Sequence, residues 1–131
     1  MAGIFTKIVQ GEIPSYKVAE DERFFAFLDI NPLAKGHVLV IPKAEIDYIF
    51  DIDDENYSDL FLFAKRVARA IKKRVPCAKI GVTVIGLEVD HAHIHLIPIT
   101  SVYDMDFSKP KLKFSADELS ELCASIASEF K

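Results

Sequence analysis

Tryptophan is absent from this 131-residue sequence, and cysteine occurs only at Cys77 and Cys123. No run of 18 or more apolar residues is present, which argues against a transmembrane helix. The first residues lack a basic stretch followed by an apolar one, so no signal peptide is predicted. The two cysteines match no metal-binding spacing and indicate reduced thiols. Together these absences predict a cytoplasmic protein with no membrane partner.

An excess of basic charge is also absent, because 16 Lys and Arg face 20 Asp and Glu and give a net charge of −4. No nucleic-acid partner is therefore expected. A local basic cluster at residues 72–74 fits the last turn of a helix better than a phosphate site, which is the alternative. Half of the residues are hydrophobic, so we expect one domain over residues 1–131 with a substantial core.

Apolar periodicity and turn residues predict an α+β fold with a five-stranded antiparallel sheet. A short N-terminal helix is expected at 4–9, and a long central helix from Asp53 or Asp54 to about Arg74. A C-terminal helix should begin at Ser115, where Ser-Ala-Asp-Glu118 forms a capping box. The predicted strands are 17–20, 24–30, 37–42, 79–85 and the histidine segment 91–98.

Three of the four histidines alternate with apolar residues, as His91, His93 and His95. In a strand this spacing places all three imidazoles on one face, about 6.6 Å apart along it. A single strand histidine is most often structural, but three in a row with an apolar opposite face indicate a chemical task. The row could supply a nucleophile and an acid, or it could present ligands to zinc.

The segment His91-Ala-His-Ile-His-Leu-Ile-Pro98 resembles the motif of the histidine triad (HIT) family. Segments 4–14, 25–30 and 36–43 are similar to the opening segment and the next two strands of the same family, in the same order. The resemblance covers about residues 3–98 and leaves 99–131 as a C-terminal extension with a helix. It points to the small single-domain, bacterial-type nucleotide hydrolases, most of which are homodimers.

The resemblance implies a hydrolase or transferase that acts at the α-phosphate of a nucleoside phosphoramidate or dinucleoside polyphosphate. His93 would form a covalent nucleotidyl intermediate, with its second nitrogen donating to the main-chain carbonyl of His91. His95 would hold a phosphate oxygen. His37, on a neighbouring strand, would orient His91, unless it is only the residue that starts that strand.

Asp29 lies in an otherwise apolar strand and therefore needs a polar partner. By resemblance it takes the two ribose hydroxyls, and the alternative is that it caps the turn at Asn31 and Pro32. The expected ligand is a purine mononucleotide such as AMP or GMP, or a dinucleoside polyphosphate. Four apolar residues match family positions that enclose the base, although such residues are more often plain core: Phe5, Ile8, Phe27 and Ile30.

The sequence departs from the family pattern in ways that affect cofactors and catalysis. Relatives that bind a structural zinc carry two cysteines and a histidine where Gly3, Thr6 and Glu45 stand here. That zinc site is expected to be lost, and no cofactor is predicted at the active site. Leu87 replaces a phosphate-contacting Gln, an Asn has no match, and Glu88 falls where some relatives bind phosphate with Ser. A catalytically weak nucleotide-binding module is therefore the main alternative, ahead of a zinc-binding protein.

Overall fold

The computed structural model describes residues 2–131 as an α+β fold built on one five-stranded antiparallel sheet, which confirms the predicted fold class. The strand order is β1-β2-β3-β5-β4. In the described part of the chain, no helix is long and apolar enough to cross a membrane. The elements are α1 (Ile4–Val9), β1 (Lys17–Glu20), β2 (Phe24–Leu28), β3 (Val38–Pro42), α2 (Asp54–Arg74), β4 (Lys79–Thr83), β5 (Ile94–Ile99) and α3 (Ala116–Ala127).

The two long helices begin where the sequence predicts, and α2 also ends where it is predicted to end. The Asp53 side chain accepts the Asn56 N–H and caps α2, and the basic residues 72–74 form its last turn. The Ser115 and Glu118 side chains each accept the other residue's N–H, which completes the predicted capping box of α3. These contacts satisfy amide groups that the first helical turn leaves without partners.

Alternation along the central strands divides the sheet into two unlike faces. On β2, Phe24, Ala26 and Leu28 join the main core beneath α2 and α3. Phe25 and Phe27 point to the other face, where they form a smaller cluster with residues of α1 and β3. The large core holds the sheet rigid, while the second face is covered only in part and carries the histidines.

Four strands are shorter than predicted, because apolar residues indicate burial and a strand also needs a hydrogen-bonded neighbour. β3 begins at Val38, one residue after the predicted start at His37. β2 stops at Leu28, and β4 stops at Thr83. β5 begins at Ile94, so His91 and His93 precede it instead of lying within it. Pairing of β3 with β5 reaches Val40 and Ile94, close to Pro42, which has no N–H to continue the ladder.

Candidate active site

The four histidines lie together on the α1 face of the sheet and are at least nine-tenths buried. The ring centroids of His93 and His95 are 4.9 Å apart, and those of His37 and His95 are 5.2 Å apart. His95 belongs to β5, whereas the other three stand at or before the start of a strand. The structure therefore brings together all of the residues that the sequence assigns to catalysis.

The His93 ring has one nitrogen committed to the main chain. Its Nδ1 lies 2.7 Å from the carbonyl oxygen of His91, the hydrogen bond that the family resemblance implies. A carbonyl can only accept, so Nδ1 carries the proton in the neutral ring and Nε2 keeps its lone pair. An unprotonated nitrogen is what a nucleophilic histidine requires.

A chain of hydrogen bonds also fixes the protons of His37 and His95. The Leu33 N–H donates to His37 Nδ1 at 3.1 Å, so the proton of neutral His37 sits on Nε2. That Nε2–H donates to His95 Nδ1 at 3.0 Å. The His95 proton must then be on Nε2, which makes this atom a donor. One backbone amide thus determines which nitrogen of His95 can offer a hydrogen bond.

The prediction that His37 orients His91 is wrong. Leu39 of β3 pairs with His95 of β5, and this register sets His37 beside His95. The His91 Nε2–H instead donates to the Pro42 carbonyl at 2.7 Å. Its Nδ1 is buried and has no hydrogen-bond partner within residues 2–131. His91 therefore acts on the site through its own carbonyl, which holds His93.

Burial keeps the histidine pair uncharged. Desolvation, helped by the neighbouring histidines and Lys111, lowers the pKa of His37 to about 3. Desolvation, with a smaller contribution from the neighbouring His93, lowers the pKa of His95 to about 4. Burial also lowers the pKa of His91, although the Pro42 carbonyl and Glu45 oppose this shift. At neutral pH the pair offers fixed N–H donors and lone pairs without a positive charge.

Asp29 caps the turn that follows β2, which is one of the two roles considered for it. Its Oδ1 accepts the Asn31 N–H at 2.8 Å and caps the turn. Its Oδ2 lies 3.7 Å from His37 Nε2, which places the second oxygen beside the histidines. Burial raises the pKa of Asp29, while the Asn31 amide and the neighbouring His93 and Lys111 oppose the rise. The turn thus uses one carboxylate oxygen and leaves the other toward the site.

The predicted base-enclosing residues divide into two groups. Phe5 of α1 packs edge-on against Phe27 at 5.5 Å and against His93 at 5.2 Å, and Ile8 packs on the same cluster. Ile30 is exposed, directly after Asp29. Glu88 is exposed in the segment between β4 and β5. Phe5 thus packs directly on the nucleophile candidate, and Phe27 packs against Phe5.

Sequence reasoning missed two residues that follow β5. The Phe107 ring lies edge-on to His95, with 5.0 Å between the ring centroids, and 6.3 Å from the His37 centroid. The Lys111 Nζ donates to the Phe107 carbonyl at 2.6 Å. Both residues lie in a stretch without helix or strand, so no periodicity signalled that they return to the site.

Asp29, His37 and His95 each offer one possible metal-ligand atom, and these atoms lie within 4.8 Å of one another. His91 and His93 are not part of this group. A metal on His37 Nε2 would require the proton of the neutral ring on Nδ1. That nitrogen already accepts the Leu33 N–H, so metal binding would break this hydrogen bond. The three residues therefore fit a hydrogen-bond chain better than a metal ion.

The positions of the relatives' structural zinc ligands hold a different link. The Gly3 N–H and the Thr6 hydroxyl both donate to Glu45 Oε1 at 2.7 Å. These residues supply neither thiolate nor imidazole, so the set does not fit a structural zinc. The carboxylate joins α1 to the chain after β3, and so it helps to hold Phe5 beside His93.

Comparisons with known proteins agree with this geometry. Residues 10–102 match the family model described as HIT domain. The chain is 36% identical to adenosine 5'-monophosphoramidase of Schizosaccharomyces pombe over 133 residues, covering 100% of both chains. A crystal structure of a Hit-like protein involved in cell-cycle regulation from Bartonella henselae has a TM-score of 0.84 and 31% identity, covering 97% of this chain and 95% of that one. A Zn-bound histidine triad family protein from Mycobacterium smegmatis has a TM-score of 0.83 and 26% identity, covering 99% of this chain and 94% of that one. The chain belongs to the HIT family.

Proposed function

We propose that this chain is a nucleotide hydrolase that uses His93 as a nucleophile on the α-phosphate of a nucleoside phosphoramidate or dinucleoside polyphosphate. The observation that carries the proposal is the hydrogen bond from His93 Nδ1–H to the His91 carbonyl, which leaves Nε2 unprotonated. Family membership and relatives named adenosine 5'-monophosphoramidase support a hydrolase of the histidine triad type.

The reaction divides into two displacements at phosphorus. The His93 Nε2 lone pair forms a bond to the α-phosphorus while the bond to the leaving amine or phosphate breaks. The His95 Nε2–H donates to a phosphate oxygen as charge builds on it. Water then attacks phosphorus, the bond to Nε2 breaks and a nucleoside monophosphate is released. One proton of the attacking water passes to solvent, and the other stays on the new phosphate oxygen until that group ionises. In the first displacement, a leaving amine takes up one proton from solvent as its bond to phosphorus breaks.

The rest of the nucleotide would extend along the α1 face. The free oxygen of Asp29 is suited to accept from ribose hydroxyls, since the other oxygen already caps the turn. The edge-packed rings of Phe5 and Phe27 offer an apolar surface for a base. A purine mononucleotide such as AMP or GMP is therefore the ligand we propose, or the corresponding half of a dinucleoside polyphosphate.

A nucleotide-binding module with weak catalysis is the second candidate. Leu87, where relatives have a polar residue, is 86% exposed and offers no donor to a leaving group. Such a protein would bind AMP with negligible turnover. Transfer of the nucleotidyl group to an acceptor other than water uses the same first displacement, so it differs only in the second step.

The test is release of AMP from adenosine 5′-phosphoramidate, with a chelator present. The wild type should turn over, and His93→Ala should lose at least about a thousandfold in kcat, because a covalent nucleophile has no substitute in the site. Leu62→Ala is the control, because Leu62 is exposed on α2, on the other side of the sheet from the histidines, and its kcat should match that of the wild type. Full activity of His93→Ala would exclude the covalent mechanism, and AMP binding without turnover would favour the binding module.

We also propose that the protein is a homodimer. β4 is an edge strand of the sheet, and Val82 on it is about half exposed. An unpaired edge with an apolar side chain is suited to pair with a second copy. Light scattering should give about twice the 14.7 kDa of the chain, and a mass near 14.7 kDa would count against the dimer.

A further inference from the structure

The stretch after β5, residues 103–114, forms a wall of the histidine site. The Phe107 ring packs edge-on against His95 with 5.0 Å between centroids. Farther along, the Leu112 N–H donates to the Pro32 carbonyl at 2.9 Å. Pro32 belongs to the turn between Asp29 and His37, so this bond ties the stretch to the loop that carries both residues. The wall is thus fixed at two points on the site.

Lys111 is held within this wall by main-chain oxygens. Its Nζ lies 2.6 Å from the Phe107 carbonyl oxygen, 3.3 Å from that of Lys109, and 5.7 Å from the centre of the Phe107 ring. An ammonium group has three N–H donors, and these two carbonyls engage two of them. No third acceptor from residues 2–131 contacts Nζ, so one donor is left for an acceptor on a bound molecule.

The charge of Lys111 already acts on the site. Burial is the main cause of the raised pKa of Asp29 and of the lowered pKa of His37. The charge of Lys111 lowers both pKa values, so it opposes the shift of Asp29 and adds to that of His37. His37 and His95 are neutral at pH 7, because burial lowers the pKa of each. Lys111 therefore supplies a positive charge that this histidine pair does not.

We propose that Lys111 binds an anionic oxygen of the substrate's phosphate group, a role that rests on the proposed hydrolysis of a nucleotide at His93. A phosphate that enters beside His95 needs its charge neutralised, and Leu87 has no polar atom with which to do so. Lys111 selects phosphorylated nucleosides over free ones. It does so because a nucleoside carries no anionic oxygen for the free N–H to bind.

Calorimetric titration with AMP and with adenosine tests this role. Lys111→Met should weaken AMP binding by about tenfold at low salt and leave adenosine binding unchanged, because only AMP carries the phosphate. Lys111→Arg should restore most of the affinity. The difference between Lys111→Met and the wild type should shrink as salt rises from about 20 mM to about 500 mM. Lys113→Met, an exposed lysine two residues along the same stretch, is the matched control and should behave as wild type.

The outcomes separate the two proposals. Equal losses for AMP and adenosine would mean that Lys111 only supports the fold of the wall, and an unchanged AMP affinity would mean that it does not contact phosphate. Either result overturns the inference while wild-type hydrolysis that depends on His93 stands. If the wild type binds neither ligand and does not hydrolyse the phosphoramidate, the proposed function and the inference both fail. Phosphate-specific loss in Lys111→Met with rescue by Lys111→Arg establishes the inference.

Discussion

The buried neutral pair His37 and His95 should make the folded protein sensitive to mild acid. Their pKa values in the fold are about 3 and about 4, below the usual 6.5. Between pH 7 and pH 5 the unfolded chain protonates both rings and the folded chain protonates neither. A lowered pKa in the fold therefore contributes stability above pH 6.5 that is lost as the pH falls. Between pH 7 and pH 5 each ring should lower the free energy of unfolding by about 2 kcal/mol, so the pair should lower it by about 4 kcal/mol.

This loss is large beside the roughly 5–15 kcal/mol that stabilises an ordinary domain. It can be measured by urea unfolding at pH 7 and pH 5, where most carboxyl groups stay ionised. The raised pKa of Asp29 works in the opposite direction, because the fold favours its protonated form. His95→Asn should reduce the loss by about 2 kcal/mol, and the double variant with His37→Asn by about 4 kcal/mol. Equal losses in the wild type and the double variant would refute the assignment of this acid sensitivity to the pair.

Two further substitutions test the supports of the site. Glu45→Ala removes the acceptor shared by the Gly3 N–H and the Thr6 hydroxyl, so hydrogen exchange of the α1 amides should become faster and KM should rise. Glu45→Gln keeps an oxygen acceptor and should retain much of the slow exchange and of the low KM. Identical exchange in the wild type and both variants would contradict a role for Glu45 in holding α1. Gly36→Ala places a Cβ 2.9 Å from a Val75 methyl at a φ of +93°, so the free energy of unfolding in urea should fall by about 3 kcal/mol. Gly11→Ala is the control, because Gly11 has a similar φ of +81° but nothing within 4 Å of the added Cβ, and it should lose only about 1 kcal/mol. Equal losses would mean that backbone strain alone decides both.

The long helices were predictable because their signals are local. The acidic first turn and the Asp53 cap mark the start of α2, and Pro76 lies just beyond its end. Capping needs contacts over three residues, which a sequence displays directly. The shared side of His93 and His95 was also predictable, because the alternation that buries Ile94 and Leu96 in the main core sets the histidines on the other face. The place of His37 near them came from the family resemblance alone.

What escaped prediction depends on contacts between distant segments. The sequence places His37 at the start of a strand, but the register of β3 against β5 decides that its partner is His95. Likewise, Phe107 reaches His95 through a stretch of turns whose path leaves no periodic mark. Register and loop paths follow from the packing of the whole domain, so single-segment patterns do not reveal them.

The proton positions in the histidine cluster depend on main-chain atoms: the Leu33 N–H and the carbonyls of His91 and Pro42. These atoms are present whichever side chain a residue carries, apart from proline, which would remove the amide at position 33. Substitutions of the neighbouring side chains can therefore change the affinity for a ligand without changing which imidazole nitrogens carry a proton. A diverged or redesigned version of this site would inherit its chemistry from the path of the backbone, provided that the four imidazoles are kept.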